Sequence, residues 1–148
     1  MNEATKTHEG TRRSLERNDL PLAEEVYRIV GAAMRVQDDL GPGFLDAVYE
    51  EALAIEFEIE GIPFREQLPI EIRYRDRILK KHYVCDFLLF DAIVMEIKAI
   101  PQLTNLEMAQ ILNYLKATGK PLGLLINFGK AGKLEWQRIA GPASLNAI

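Results

Sequence analysis

Asp86, Glu96 and Lys98 lie within a long, mostly apolar stretch of this chain, residues 83–98. The apolar residues around them are largely β-branched or aromatic, which favours two consecutive strands with a turn at Asp91-Ala92. Burying a charge costs free energy unless the charge is paired or bound to a metal. The stretch therefore predicts a β-hairpin in which the charged side chains have partners.

Glu96 and Lys98 are two residues apart, so on a strand they project from the same face of the sheet. With Asp86 on the neighbouring strand, two carboxylates and an ammonium come together. Mg²⁺ prefers oxygen ligands and is often held by one or two carboxylates, with water and substrate phosphate completing its shell. The pattern predicts a divalent-metal site, but a cross-strand salt bridge on a solvated sheet face explains it equally well.

The periodicity of the apolar residues changes along the chain and defines its elements. It predicts a flexible tail over residues 1–20, a single domain over 21–140 and a C-terminal tail over 141–148. The order of elements is α, α, β, β, β, α, β, β, which is typical of a sheet with a crossover helix. The predicted helices span about 21–39, 45–60 and 104–118, and the strands about 64–75, 78–90, 92–99, 121–128 and 134–139.

Composition excludes several classes of protein. A net charge of −4 argues against a polycation that coats nucleic acid regardless of sequence. No apolar run approaches the roughly 18 residues of a membrane span, so no membrane association is expected. The N-terminus lacks the apolar core of a secretion signal, and the single cysteine, Cys85, cannot form an internal disulfide. We therefore expect a cytoplasmic protein.

Two helices add candidate site residues. Gln110 and Tyr114 are four residues apart and share a helix face, where they could hydrogen-bond a phosphate or a metal-bound water. Taken alone, the pair is better explained as a polar helix flank. Asp46 and Glu50 also share a face and could reach a metal site at the sheet. For Asp46, a position in the first turn, where the helix dipole favours a negative charge, is an equally good explanation.

A local surplus of positive charge lies between the second helix and the charged hairpin. It could hold a phosphate backbone near the acidic site. Residue by residue, charges that protect a sheet edge from pairing are the better explanation. The basic residues are Arg65, Arg73, Arg75, Arg77, Lys80, Lys81 and His82, against Glu66, Glu71 and Asp76.

In this order the motifs resemble those of the PD-(D/E)XK nuclease superfamily. Its signature is an acid on one strand followed, after a short hairpin, by acid-x-lysine, which Asp86, Glu96 and Lys98 match. Gln110 and Tyr114 match the Gln-x-x-x-Tyr motif of RecB-like branches. More narrowly, the chain resembles the small bacterial GxxExxY proteins. The matching segments are residues 40–53, 94–99, 109–115 and 123–129, with Asp46 where that family has a glutamate.

The resemblance implies a restriction-endonuclease-like α/β (α+β) core. Its central mixed β-sheet is flanked by helices in the order α-β-β-β-α-β, with an extra N-terminal helix. The implied activity is Mg²⁺- or Mn²⁺-dependent hydrolysis of phosphodiester bonds in DNA, in preference to RNA. The implied roles are metal binding by Asp86, Glu96 and the Ile97 carbonyl, water positioning by Lys98, substrate orientation by Gln110 and Tyr114, and completion of the catalytic set by Asp46 or Glu50.

Two further expectations accompany this interpretation. Cleavage of both strands of a duplex needs two such sites, so a homodimer is compatible with the predicted activity. The alternative is a binding protein instead of an enzyme. It would have a nuclease-like fold without catalytic activity and would bind nucleic acid or a partner protein. An intact set of Asp86, Glu96 and Lys98 weighs against this alternative, because a chain that no longer cuts need not keep it.

Overall fold

The computed structural model describes residues 20–142, so the two predicted tails lie almost entirely outside the described residues. The described part contains three helices and seven strands. They are α1 (Ala23–Leu40), α2 (Asp46–Glu60), β1 (Phe64–Ile70), β2 (Arg73–Tyr74), β3 (Arg77–Ile78), β4 (Tyr83–Leu89), β5 (Ile93–Lys98), α3 (Asn105–Thr118), β6 (Leu122–Asn127) and β7 (Glu135–Ala140).

Five strands form one sheet in the order β1-β4-β5-β6-β7. All neighbouring pairs are antiparallel except β5 and β6, which run parallel and are joined by the crossover helix α3. Thr104 and Glu107 form a capping box that starts α3. The prediction of a mixed sheet flanked by helices, with an extra N-terminal helix, is confirmed.

The region between β1 and β4 differs from the prediction. One strand was expected over residues 64–75 and another over 78–90, but β1 ends at Ile70 and β4 begins at Tyr83. Between them, β2 and β3 form a separate two-stranded hairpin. The hairpin residues are exposed on both sides. Alternation of apolar and polar residues therefore predicted extended backbone correctly, but it could not show which strands share a sheet.

The sheet carries a hydrophobic cluster on each face. Against α1 and α2, the large cluster includes Phe57 and Phe87, whose rings meet edge to face at 5.2 Å. Against α3, a smaller cluster includes Cys85, Val94 and Tyr114. No helix within residues 20–142 has the length and apolarity to cross a bilayer. The smaller cluster forms the floor beneath the predicted site residues.

Candidate active site

The two central strands separate at the predicted carboxylates. Phe87–Leu89 pair with Ile93–Met95, and the ladder ends there. At the next position, the Asp86 N–H donates to Glu96 Oε1 at 3.0 Å, and the Ile97 N–H donates to Asp86 Oδ2 at 2.7 Å. Each carboxylate therefore takes the place that a backbone carbonyl would occupy. These bonds hold the two carboxylates side by side where β4 and β5 diverge.

Burial dominates the electrostatics of this pair. Glu96 is 7% exposed. Burial, followed by the negative charge of Asp86, raises the pKa of Glu96 to about 7. Burial also raises the pKa of Asp86, against the opposing effects of the Ile97 N–H and Lys98. Two carboxylates in poor contact with water form a site that a divalent cation would stabilise.

Lys98 joins the carboxylates to α3. Its Nζ donates to Gln110 Oε1 at 3.1 Å and lies 3.6 Å from Glu96 Oε2. The alternative of a Glu96–Lys98 salt bridge is thus present as a contact. Its environment is not a solvated face, however, because the two side chains are only 9% and 21% exposed. The ammonium is held in a fixed position beside the acid pair.

The acidic residues of α2 occupy different environments. Glu50 is half-buried and accepts a hydrogen bond from Gln67 Nε2. Burial raises the pKa of Glu50; the Gln67 bond lowers it, and the charges of Asp86, Glu66 and Asp46 raise it further. Asp46 is exposed in the first turn of α2. The charge of Asp46 also raises the pKa of Asp86, so both α2 carboxylates act electrostatically on the site, and Glu50 is the more buried of the two.

Gln110 and Tyr114 do not present a single polar face. Gln110 is half-buried and contacts Lys98, whereas Tyr114 is 4% exposed and belongs to the cluster beneath the site. Burial, and then the charge of Glu96, raises the pKa of Tyr114, so its phenol keeps its proton. The ring centroid of Tyr114 lies 5.8 Å from that of Tyr83. Tyr114 is thus placed to support neighbouring side chains.

Gln67 is a site residue that the sequence did not reveal. It has a positive φ of 54° and interrupts the pairing of β1 with β4 opposite Asp86. Neighbouring positions remain paired, since Glu66 faces Phe87 and Leu68 faces Cys85. The interruption lets the Gln67 amide reach Glu50. A glutamine in an alternating strand carries no signal for this role.

Asn127 is a second residue that the sequence did not reveal. It is completely buried at the end of β6. Its Oδ1 accepts from the N–H groups of Ile100 and Gly129, both at 3.0 Å. Its Nδ2 donates to the Ile100 carbonyl and to Glu135 Oε1, both at 2.9 Å. These bonds fix the segment that follows Lys98 and leads into α3.

The donor chemistry fits a hard divalent cation. Among residues 20–142, no three His, Cys, Asp or Glu side chains form a group that could hold a metal. Asp86 and Glu96 are a two-carboxylate set, which is the set that Mg²⁺ often takes when water and phosphate supply the other ligands. Backbone N–H groups engage Asp86 Oδ2 and Glu96 Oε1. These bonds leave the second oxygen of each carboxylate to other partners, and that of Glu96, Oε2, lies 3.6 Å from Lys98 Nζ.

In the presence of a chelator, we expect Glu96→Gln to stabilise the protein at pH 8 by about 1–3 kcal/mol. The folded state raises the pKa of Glu96 from 4.5 to about 7. Its contribution to stability is therefore complete below about pH 4.5 and is lost as the pH rises through 7. Urea unfolding at pH 5 and pH 8 measures the difference, with the exposed Glu58→Gln as control. An unchanged midpoint at pH 8 would contradict this electrostatic account.

Comparison with known proteins places the chain in a family. A model of the PD-(D/E)XK nuclease superfamily matches residues 23–139. No curated protein sequence matches the chain. Among solved structures, the chain is similar to SSO0001, with 18% identity and a TM-score of 0.52 over 65% of this chain and 50% of that one. It is also similar to the alkaline exonuclease LHK-Exo from Laribacter hongkongensis, with 17% identity and a TM-score of 0.43 over 86% of this chain and 74% of the other.

The structural match and the family model support different conclusions. The matched region covers half the length of SSO0001, and at 18% identity the similarity concerns the fold alone. The family model covers residues 23–139, which include every site residue described above.

Proposed function

Because this chain belongs to the PD-(D/E)XK nuclease superfamily, we propose that it is a Mg²⁺- or Mn²⁺-dependent nuclease that hydrolyses phosphodiester bonds in DNA. The observation that carries the proposal is the pair of poorly solvated carboxylates, Asp86 and Glu96, held side by side next to Lys98. Such a pair is costly to keep unless a cation offsets its charge. A bound divalent ion would act as a Lewis acid toward the phosphate.

Each residue of the site has a role in this mechanism. Asp86 and Glu96, with the carbonyl of Ile97, would hold the ion. Lys98 is oriented by Gln110, positions the attacking water and neutralises charge that develops on the phosphate. Gln110 contacts the substrate beside Lys98. Tyr114 is buried beneath the surface that faces the substrate and supports the side chains there.

Glu50 is the better candidate for the acid contributed by α2. It is half-buried, and Gln67 holds its side chain by a hydrogen bond. Asp46 lies one helical turn earlier and is exposed, where it favours the helix dipole. We therefore assign Glu50 to the catalytic set and give Asp46 a supporting electrostatic role.

Cleavage assays with labelled oligonucleotides test the proposal directly. We expect DNA to be cut in Mg²⁺ or Mn²⁺ and to remain intact in EDTA, and we expect Glu96→Gln and Asp86→Asn to abolish cutting. Glu50→Gln should lower the rate far more than Asp46→Asn. Single-stranded and duplex DNA and RNA are each assayed. If none of them is cut in either metal, the proposal is wrong.

The alternative is a catalytically silent module that binds nucleic acid or a partner protein. One observation favours it: backbone N–H groups and Lys98 already satisfy much of the hydrogen-bonding capacity of the two carboxylates. Calorimetry separates the two candidates. Nucleic-acid binding without measurable Mn²⁺ binding supports the silent module, whereas Mn²⁺ binding that Glu96→Gln removes supports the nuclease. Membership of the GxxExxY branch, a cytoplasmic location and a homodimer stay predictions.

A further inference from the structure

A groove of about 980 Å³ opens between α3 and the segment that leads into the β2–β3 hairpin. Lys98, Gln110 and Tyr114 are among its lining residues, so the groove reaches the lysine that contacts Glu96. Its volume is at the upper end of the range for ligand pockets. The groove therefore has room for a part of the substrate that extends beyond the scissile phosphate.

The charges along the groove suit a phosphate backbone. Arg73 lines it from the hairpin, Lys116 lines it from α3, and Lys98 lies toward the acid pair. Glu71 and Glu107 also line it and carry negative charge, so the three basic residues exceed the two acidic ones by one charge. The basic surface then continues outward along exposed residues of the hairpin and the segment after it, namely Arg75, Arg77, Lys80 and Lys81.

An aromatic ring lies within this groove. Tyr83 lines the groove and is 43% exposed, while the buried Tyr114 supports it at a ring-centroid distance of 5.8 Å. A tyrosine ring offers a flat surface on which a nucleobase can stack. In a duplex, the faces of the bases are covered by their neighbours. Away from the ends of a duplex, only an unpaired base can therefore stack on Tyr83 within the groove.

We infer that the groove holds an unpaired stretch of the DNA strand next to the scissile phosphate. One base stacks on Tyr83, and the flanking phosphates contact Arg73 and Lys116. This inference rests on the proposed function for the identity of the ligand and adds the class of substrate. The preferred substrates are single-stranded DNA and duplexes with an unpaired end, and a blunt duplex is disfavoured.

Binding is measured by fluorescence anisotropy in EDTA on the Glu96→Gln background, so no cleavage occurs and one repelling charge is removed. The probes are a single-stranded DNA of about 12 nucleotides and the blunt duplex of the same sequence. We expect the single strand to bind at least about tenfold tighter than the blunt duplex. Tyr83→Ala should weaken binding of the single strand about 5- to 150-fold. Tyr83→Phe keeps the ring and should bind like the parent. Tyr27→Ala, at an 81% exposed tyrosine of α1, is the matched control.

The phosphate contacts have a separate signature. We expect two effects of Arg73→Gln and of Lys116→Gln. Each should weaken the binding of all DNA sequences alike. Each should also reduce the slope of the logarithm of the binding constant against the logarithm of the salt concentration by about 0.7. Lys133→Gln, at an exposed lysine before β7, should leave both quantities unchanged.

These outcomes separate the inference from the proposed function. Equal binding of single strand and blunt duplex, or a Tyr83→Ala variant that binds like the parent, overturns the inference even if the wild-type protein cleaves DNA. Conversely, Tyr83-dependent binding of single strands by a protein that never cleaves supports the groove and refutes the nuclease.

Discussion

Replacing Lys98 with methionine is expected to lower the rate of the proposed metal-dependent cleavage by about 10²- to 10⁴-fold while the protein stays folded. This range is what a positioned proton-transfer group or a stabiliser of developing charge contributes to an enzymatic rate. Lys98 Nζ lies 3.6 Å from Glu96 Oε2 and 3.1 Å from Gln110 Oε1, so it is a cation already oriented beside the acid pair. Methionine keeps the apolar stem and removes the charge.

The matched control is Lys120→Met. Lys120 is also partly buried, with its side chain 28% exposed, and it binds the carbonyl and carboxylate of Asp91 at the opposite end of β5. Both substitutions remove a partly buried ammonium that contacts a carboxylate, and only Lys98 is at the proposed site; the carboxylate partner of Lys120, Asp91, is 80% exposed. Single-turnover cleavage in Mn²⁺, together with urea unfolding, measures the two effects separately.

The comparison distinguishes chemistry from folding. We expect Lys120→Met to cleave within about a factor of three of wild type, because a change in global stability alone leaves most molecules folded. If Lys98→Met cleaves as fast as wild type, Lys98 only neutralises Glu96 and the proposed mechanism is wrong. If both variants lose the same activity, the loss reflects destabilisation.

The fold was largely predictable because its signals are local. α1, α2 and α3 follow the helical spacing of apolar residues, and the strands β5 and β6 follow from short, mostly apolar runs. The separation of the β2–β3 hairpin from the main sheet was not predictable. It depends on which distant strands pair, and a short exposed hairpin has the same alternation as a sheet edge.

The candidate site was predictable in its residue types but not in its geometry. Asp86, Glu96 and Lys98 stand out because charges are rare in apolar strands. The carboxylates meet because β4 and β5 separate at their level, and this follows from the register of the hairpin. The roles of Gln67 and Asn127 depend on contacts with residues 17 and 27 positions away, respectively, which leave no local pattern.

The acid pair also explains why the surrounding backbone is held by so many hydrogen bonds. The two carboxylates destabilise the fold at neutral pH, since burial raises both of their pKa values. Backbone N–H groups offset part of that cost, and the Asn127 bonds fix the segment after Lys98. A site of this kind needs rigid support because its charged groups would otherwise move apart or into solvent.

Gly129→Ala is expected to destabilise the protein by about 2–4 kcal/mol and to lower cleavage as well. A Cβ at this position would lie 2.3 Å from the backbone N and 2.4 Å from the O of Ile100, and 2.5 Å from the C of Ala99. These are backbone atoms, so the segment after Lys98 must shift. The shift would break the bonds that Asn127 makes to Ile100.

Gly31→Ala is the control, because its Cβ would have its nearest neighbour, the flexible Arg35 Nη1, at 3.5 Å. Within α1 that substitution should be neutral or stabilising by up to about 1 kcal/mol. Urea unfolding gives the stability, and single-turnover cleavage under conditions where both variants are folded gives the activity. Because the shifted segment connects Lys98 to α3, a displaced Lys98–Gln110 contact should slow cleavage in the folded Gly129→Ala protein. Wild-type stability together with wild-type cleavage would show that the segment adapts to the added methyl group without moving Lys98.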